Sequence, residues 1–262
     1  MKIFIMTDLE GVSGVDSISM MGSDPDGYEK ARKNLMLDVN AAICGAFDGG
    51  ADEVSVFDGH GTGANFIKEE LDSRVYQLTI DEYFRTPVEQ FDFDGLFSIG
   101  AHAMAGTANA FLDHTQSSVS WFDFKINGKS HGEIGQQAAL FGVVDIPLLM
   151  VSGDRAACIE AEKLIPGVVT ACTKEAMERN CADCLPIDKS THLIYEAARA
   201  SVQSFGKAKP YKVSSPITFD VTFTRNDYCD EAIKRDPSLI RNGRRVTRIL
   251  DRLSCALDTD WF

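Results

Sequence analysis

Along the first 165 or so residues, short apolar runs alternate with turn residues and with stretches whose apolar positions recur at helical spacing. Residues 1–7, containing KIFIM, predict a strand, and residues 28–47 place Leu35, Val39, Ile43 and Phe47 four apart on one helical face. Gly49 and Gly50 stop that helix. EVSVF (53–57) predicts a second strand, ANFIKEEL (64–71) a short helix, and GLFSIG (95–100) a strand apolar on both faces, the pattern of an interior position in a covered parallel sheet. SWFDFKING (120–128) reads as an antiparallel or edge strand ending in an Asn-Gly turn, followed by a helix over 133–143. IPLLMVSGD and the helix DRAACIEAEKLI close the unit near Ile165. This alternation predicts an α/β fold: a mostly parallel central sheet flanked by helices.

After Pro166 the pattern changes. A long helix over 190–205 leads to ITFDVTF (217–223), whose alternation gives a strand with one exposed face, and two further helices are expected over 227–235 and 244–257. The expected division is a metal-binding α/β domain over 1–166 and a smaller C-terminal α+β domain over 167–262.

Composition narrows the function. A chain of 262 residues, 44% hydrophobic, has room for one good core and a smaller appendage. Its net charge of −13 speaks against nucleic acid or an anionic membrane as partner and suits cations or substrates bearing an amine. Seven cysteines, an odd number spread from Cys44 to Cys255, do not make a disulfide framework, and the N-terminus lacks the pattern of a signal peptide, so the expected location is cytoplasmic. Apolar runs such as IPLLMV are far shorter than the roughly 20 residues of a membrane-spanning helix.

The candidate chemistry gathers where the strands end. In TDLEG (7–11), Asp8 and Glu10 are two apart and point the same way while Leu9 turns to the core. Such a pair repels unless a cation lies between its members. An isolated acidic pair is an ordinary hydrated strand end, but the pattern recurs: EVSVF runs into Asp58-Gly59-His60 and GLFSIG into Ala101-His102. Ligands of open α/β sheets collect outside the carboxyl ends of the strands. His114, in a polar loop, and Glu133, at a helix start, are further candidates, although Glu133 also suits a helix N-terminus electrostatically. Three carboxylates and two imidazoles (Asp8, Glu10, His60, His102 and Glu133) suit an open pair of zinc-like ions better than a closed structural site. Asp58 reads either as a support for a ligand imidazole or as a turn former.

TDLEGVSG, VFDGHG, SIGAHAMAGT, DHT, NGKSHGEIG and IPLLMVSGDRAACIEAEKLIP occur in this order over residues 1–166 and together resemble the D-aminopeptidase (DppA) family, peptidase family M55. The resemblance implies a dinuclear zinc centre bridged by Asp8, with Glu10 and His102 on one ion, His60 and Glu133 on the other, and His114 as the catalytic histidine. It also implies removal of N-terminal D-residues from short peptides, and a decameric two-ring particle with its sites facing an inner channel that the C-terminal domain would help to line.

On chemical grounds, a metal-activated water is favoured as nucleophile over direct attack by His114, which would act as general base or acid or stabilise the oxyanion. The alternatives are another dinuclear amidohydrolase, a phosphoesterase, or a non-catalytic ring-forming metal protein. Some motifs carry little. Cys181-Ala-Asp-Cys184 is a lone CxxC, His131 reads as a residue of the site rim, and RNGRRVTR (241–248) as a solvated helix face or subunit contact.

Overall fold

The computed structural model describes residues 1–259. Its first half runs β1 (Lys2–Thr7), α1 (Pro25–Gly49), β2 (Glu53–Asp58), β3 (Tyr76–Gln77), α2 (Ile80–Arg85), β4 (Gly95–Ala101), β5 (Trp121–Ile126) and β6 (Lys129–Ser130). Then follow α3 (Glu133–Gly142), β7 (Leu148–Asp154), α4 (Arg155–Leu164), β8 (Val169–Glu178), β9 (Cys181–Cys184) and α5 (Ile187–Gln203). The chain continues through β10 (Ile217–Phe223), α6 (Asn226–Arg235), β11 (Ile240–Asn242) and β12 (Arg245–Leu250).

The apolar runs pair as expected. A seven-stranded sheet has the order β3-β2-β1-β4-β7-β8-β9, parallel except for β9. β4 and β7, buried along their whole length, lie in its middle, as strands covered on both faces must. Helices flank the sheet: α1 packs along α5, while α3 and α4 contact each other and reach β4, β7 and β8. A second sheet, β11-β12-β10-β5-β6, is antiparallel throughout. Trp121, Phe124 and Phe219 stack in series on its inner face, and Phe223 meets Trp121 edge-on.

Three expectations need correction. The first sheet does not end at residue 166: β8, β9 and α5 extend it, while β5 and β6 from the first half join the second sheet, so the two layers interleave along the chain. The expected helix over 64–71 is a loop, because Asn65 and Phe66 give their backbone N–H groups to the Asp58 carboxylate at 2.6 and 3.2 Å instead of to a helical ladder. The expected helix over 244–257 is instead the strand β12 followed by turns. Its β-branched Val246, Thr247 and Ile249 alternate across the pleat, and Val246 buries itself opposite Val221. The arginines of RNGRRVTR therefore sit on a hairpin, where Arg241, Arg245 and Arg248 face Asp230, Asp220 and Asp236.

Asp38 of α1 is fully buried beneath the loop after β1 and accepts the Ser13 N–H at 2.8 Å. Burial pushes its carboxyl up to about 6, the Ser13 hydrogen bond and the Lys174 charge offsetting only part of the cost. A carboxyl raised in the folded state contributes stability that is complete below its unfolded value, near 4, and is lost as pH rises through 6. Asp38→Asn keeps an acceptor for Ser13 without the buried charge. It should raise the thermal midpoint at pH 7.5, by at most about 3 kcal/mol of stability, and leave it nearly unchanged at pH 4; thermal unfolding at the two pH values checks this.

Candidate metal centre

Parallel pairing sets the ends of β2, β1 and β4 side by side, with Thr7 level with Asp58 on one flank and with Ile99 on the other. Each strand then delivers its polar residues to the same edge. Asp8 is held by its own N–H, which donates to Ile99 O at 2.8 Å, and the Gly11 N–H donates to Gly100 O at 2.8 Å. Gly100 has φ +77, and a Cβ there would press on Asp8 O and approach Val12 Cγ2 to 2.8 Å, so only glycine lets β1 and β4 meet so closely.

Asp8 lies between two imidazoles. Its Oδ1 is 2.9 Å from His60 Nδ1, and its Oδ2 is 3.2 Å from His102 Nε2. Glu10 Oε2 is 3.0 Å from His60 Nδ1, while Glu133 Oε1 is 3.4 Å from His102 Nε2 and 3.9 Å from His114 Nε2. Two groups able to hold an ion result: Asp8, Glu10 and His60, and His102, His114 and Glu133. The geometry therefore pairs Glu10 with His60 and Glu133 with His102, the reverse of the partition that the resemblance implies. The reason is topological: β2 and β4 lie on opposite sides of β1, so the imidazole following each strand stays on its own side of Asp8.

Ring orientation favours metal ligation at His102. Its Nδ1–H donates to Ala103 O at 3.0 Å, which aims Nε2 at the Asp8 and Glu133 carboxylates. His114 is fixed in the same way, Nδ1–H to Leu112 O at 2.8 Å, and its ring stacks on His102 with centroids 3.9 Å apart. Glu133 opens α3 and also accepts the Gln116 N–H at 2.7 Å.

The electrostatics are those of a cation site. Burial by itself would drive Glu10 towards neutrality, but His60 and His102 outweigh it and hold the carboxyl well below its usual range. Burial would likewise lower His60, yet the charges of Glu10 and Asp8 raise it to about 11. Burial also opposes charge on His102, and Glu133 and Asp8 raise it well above normal. The carboxylates thus demand positive charge between them, and protons on the imidazoles meet part of that demand. Glu10 Oε2 and His102 Nε2 are both buried beside oppositely charged groups at 3.0 and 3.2 Å, yet neither makes a well-aligned hydrogen bond among the described residues, which fits two atoms aimed at a shared ion.

Asp58 supports the turn. Besides the Asn65 and Phe66 N–H groups it accepts Asn65 Nδ2 at 3.0 Å, and that same amide donates to His60 O at 2.8 Å, so Asp58 holds the loop that carries His60. His131 is not on the rim. Its Nδ1–H donates to Lys129 O at 2.6 Å, its Nε2 accepts the Tyr211 hydroxyl at 2.7 Å, and it lines a separate cavity of about 200 Å³ beside α4. Cys181 and Cys184 occupy β9 as free thiols away from these groups.

The site opens into a cavity of about 490 Å³. Its acidic side carries Asp8, Glu10 and Glu133, its other wall is built from Met6, Phe57, Tyr83, Phe84 and Leu140, and no lysine or arginine is among its described lining residues. Tyr83 and Phe84 of this wall escaped sequence reasoning because they lie on α2, a segment with no chemical motif. Lys174 and Glu160, which touch the backbone around the site, gave no signal either, since a lone Lys in a strand and a lone Glu in a helix read as solvated.

A family model described as peptidase M55, D-aminopeptidase, matches residues 1–251. The chain belongs to the peptidase M55 family. A D-aminopeptidase of Bacillus subtilis (strain 168) is 34% identical over 212 residues, which cover 80% of this chain and 77% of that protein. Among solved structures, the Zn-dependent D-aminopeptidase DppA from Bacillus subtilis, described as a self-compartmentalizing protease, superposes with a TM-score of 0.89 at 30% identity, over 96% of this chain and 92% of its own. This M55 chain should depend on Asp58 for its metal: Asp58→Ala frees the His60 loop and should weaken zinc binding roughly 10–100-fold, measured by competition with a chromophoric chelator.

Proposed function

We propose that the chain is a zinc-dependent aminopeptidase that removes N-terminal D-residues from short peptides, with two zinc ions per subunit. The observation that carries this reading is Asp8, whose two oxygens face different imidazoles, each with its own second carboxylate. The donor set of carboxylates and imidazoles, without cysteine, fits zinc in an open site. Bound zinc supplies Lewis acidity towards the scissile carbonyl and makes water a competent nucleophile near neutral pH.

The chain's own side chains do the rest. The acidic side of the cavity attracts the free ammonium of a peptide, and the wall of Phe57, Tyr83, Phe84 and Leu140 takes up apolar parts of the substrate. With Nδ1–H tied to Leu112 O, His114 points Nε2 towards Glu133 and the cavity; it takes a proton from the attacking water there and returns it to the leaving amine. A phosphoesterase fits less well, because the cavity lining offers no lysine or arginine to a phosphate. A second reading concerns His114 alone: its Nε2 is near enough to His102 and Glu133 to complete their ligand set.

The wider reading places the enzyme in the cytoplasm, consistent with seven free cysteines, as a ring-forming homo-oligomer, a decamer by family resemblance, with the part after residue 166 contributing to assembly and channel lining. The self-compartmentalizing description of the DppA relative supports an assembly.

Purified protein should cleave D-Ala-D-Ala and leave L-Ala-L-Ala intact, and should lose the activity on chelation; cleavage of neither dipeptide by zinc-loaded protein would sink the substrate assignment. His114→Ala should lower kcat about 10²–10⁴-fold with zinc content unchanged, as measured by steady-state kinetics and elemental analysis of one sample. Loss of one zinc would instead make His114 a ligand.

A further inference from the structure

We propose that two charged side chains outside the ligand set each position one half of the metal centre: Lys174 the Asp8–Glu10–His60 half and Glu160 the His102–Glu133 half. This inference rests on the two-ion reading above.

Lys174 projects from β8 and is 1% exposed. Its ammonium spends all three donors on backbone carbonyls of the loop after β1: Glu10 O at 2.7 Å, Val12 O at 2.6 Å and Val15 O at 2.6 Å, with the Phe111 ring 5.0 Å away. The adjacent Thr173 hydroxyl donates to Gly11 O at 3.0 Å. A buried ammonium is costly unless it is fully hydrogen-bonded, and here the loop wraps its carbonyls around the charge. Because Glu10's own carbonyl is among them, its Cα cannot rotate to carry the carboxylate away from Asp8 and His60. The lysine touches no ligand side chain and acts through the backbone alone.

Glu160 does the same at the other half with the opposite charge. From α4, its Oε2 accepts the Met104 N–H at 2.8 Å, and the carboxylate also accepts the Gly132 N–H. Met104 lies two residues after His102, and Gly132 immediately precedes Glu133. One carboxylate thus ties together two segments that are remote in sequence and that each carry a ligand. The fit is close: a Cβ on Gly132 would stand 2.8 Å from Glu160 Oε1 and 2.7 Å from Met104 Cβ. Groups that orient ligands in this way typically hold 10–100-fold of metal affinity.

The two ties touch different halves, so their removal should have opposite selectivity. The experiment is stepwise cobalt(II) binding to metal-stripped protein, by competition with a chromophoric chelator and by visible absorption. Wild type, E160Q and K174M would be compared, with H60A and H102A as references for which half gives which signal. E160Q should weaken the ion marked by His102 by 10–100-fold and leave the ion marked by His60 within about threefold. K174M should do the reverse. A merely structural role would lower the thermal midpoint of the stripped protein without changing the ratio of the two affinities. Should K174M fail to fold, E160Q still decides for its half. Full cobalt uptake with an unchanged affinity ratio in E160Q would overturn this inference and leave the two-ion reading standing, whereas wild-type protein that takes up no cobalt would overturn both.

Discussion

Three carboxylates gathered around two imidazoles in a half-buried cleft repel one another, and much of this fold is arranged to keep them there. Asp8, Glu10 and Glu133 would each relieve the repulsion by moving into water or by taking a proton. Instead the imidazoles of His60 and His102 stand between them and hold them ionised. Charge of one sign concentrated in this way is a binding site for the other sign, and the imidazoles give it nitrogen as well as oxygen donors. A site of this kind stores its cost in the scaffold, which must resist the spreading of its own ligands.

The scaffold resists from three directions. Parallel strands bring three chain segments to one edge at one level, and the close approach at Gly100 leaves no slack between β1 and β4. Asp58 locks the turn that carries His60. Asp154 stands at the same edge, at the end of β7, but its oxygens serve Ala157 N as a helix cap and Phe111 N, so the series of ligands stops at β4. Behind the ligands, a buried ammonium and a buried carboxylate reach the same backbone from opposite sides. Acidic ligands in front and a lysine behind are complementary: the positive charge at Lys174 binds the dipoles of the loop whose side chains are negative.

Much of the site was legible because a strand has a period of two and because parallel strands put their carboxyl ends on one edge. Those two facts place Asp8 with Glu10 and bring His60 and His102 alongside. Which imidazole stands beside which carboxylate was not legible, since it depends on which strand lies on which side of β1, and only the sheet order decides that. Glu133 was readable as a helix start, but not as a neighbour of His102, from which 30 residues separate it. His131 misled because nearness in sequence to Glu133 does not survive the turn between β6 and α3, where its ring packs under Tyr211. The last strand was hidden in a basic run whose charges suggest a helix face, while its β-branched residues carry the pairing. Interleaving of the two sheets could not be seen locally at all: β5 has an antiparallel pattern, but its partner β10 lies some 90 residues further on.

The central claim is that the strand ends hold two zinc ions on a shared Asp8. Anomalous diffraction at the zinc edge from crystals of the zinc-loaded protein tests it most directly. Two peaks per chain are expected, one between Glu10 and His60 and one between His102 and Glu133, with Asp8 contacting both. A single peak, or none at these side chains, would contradict it.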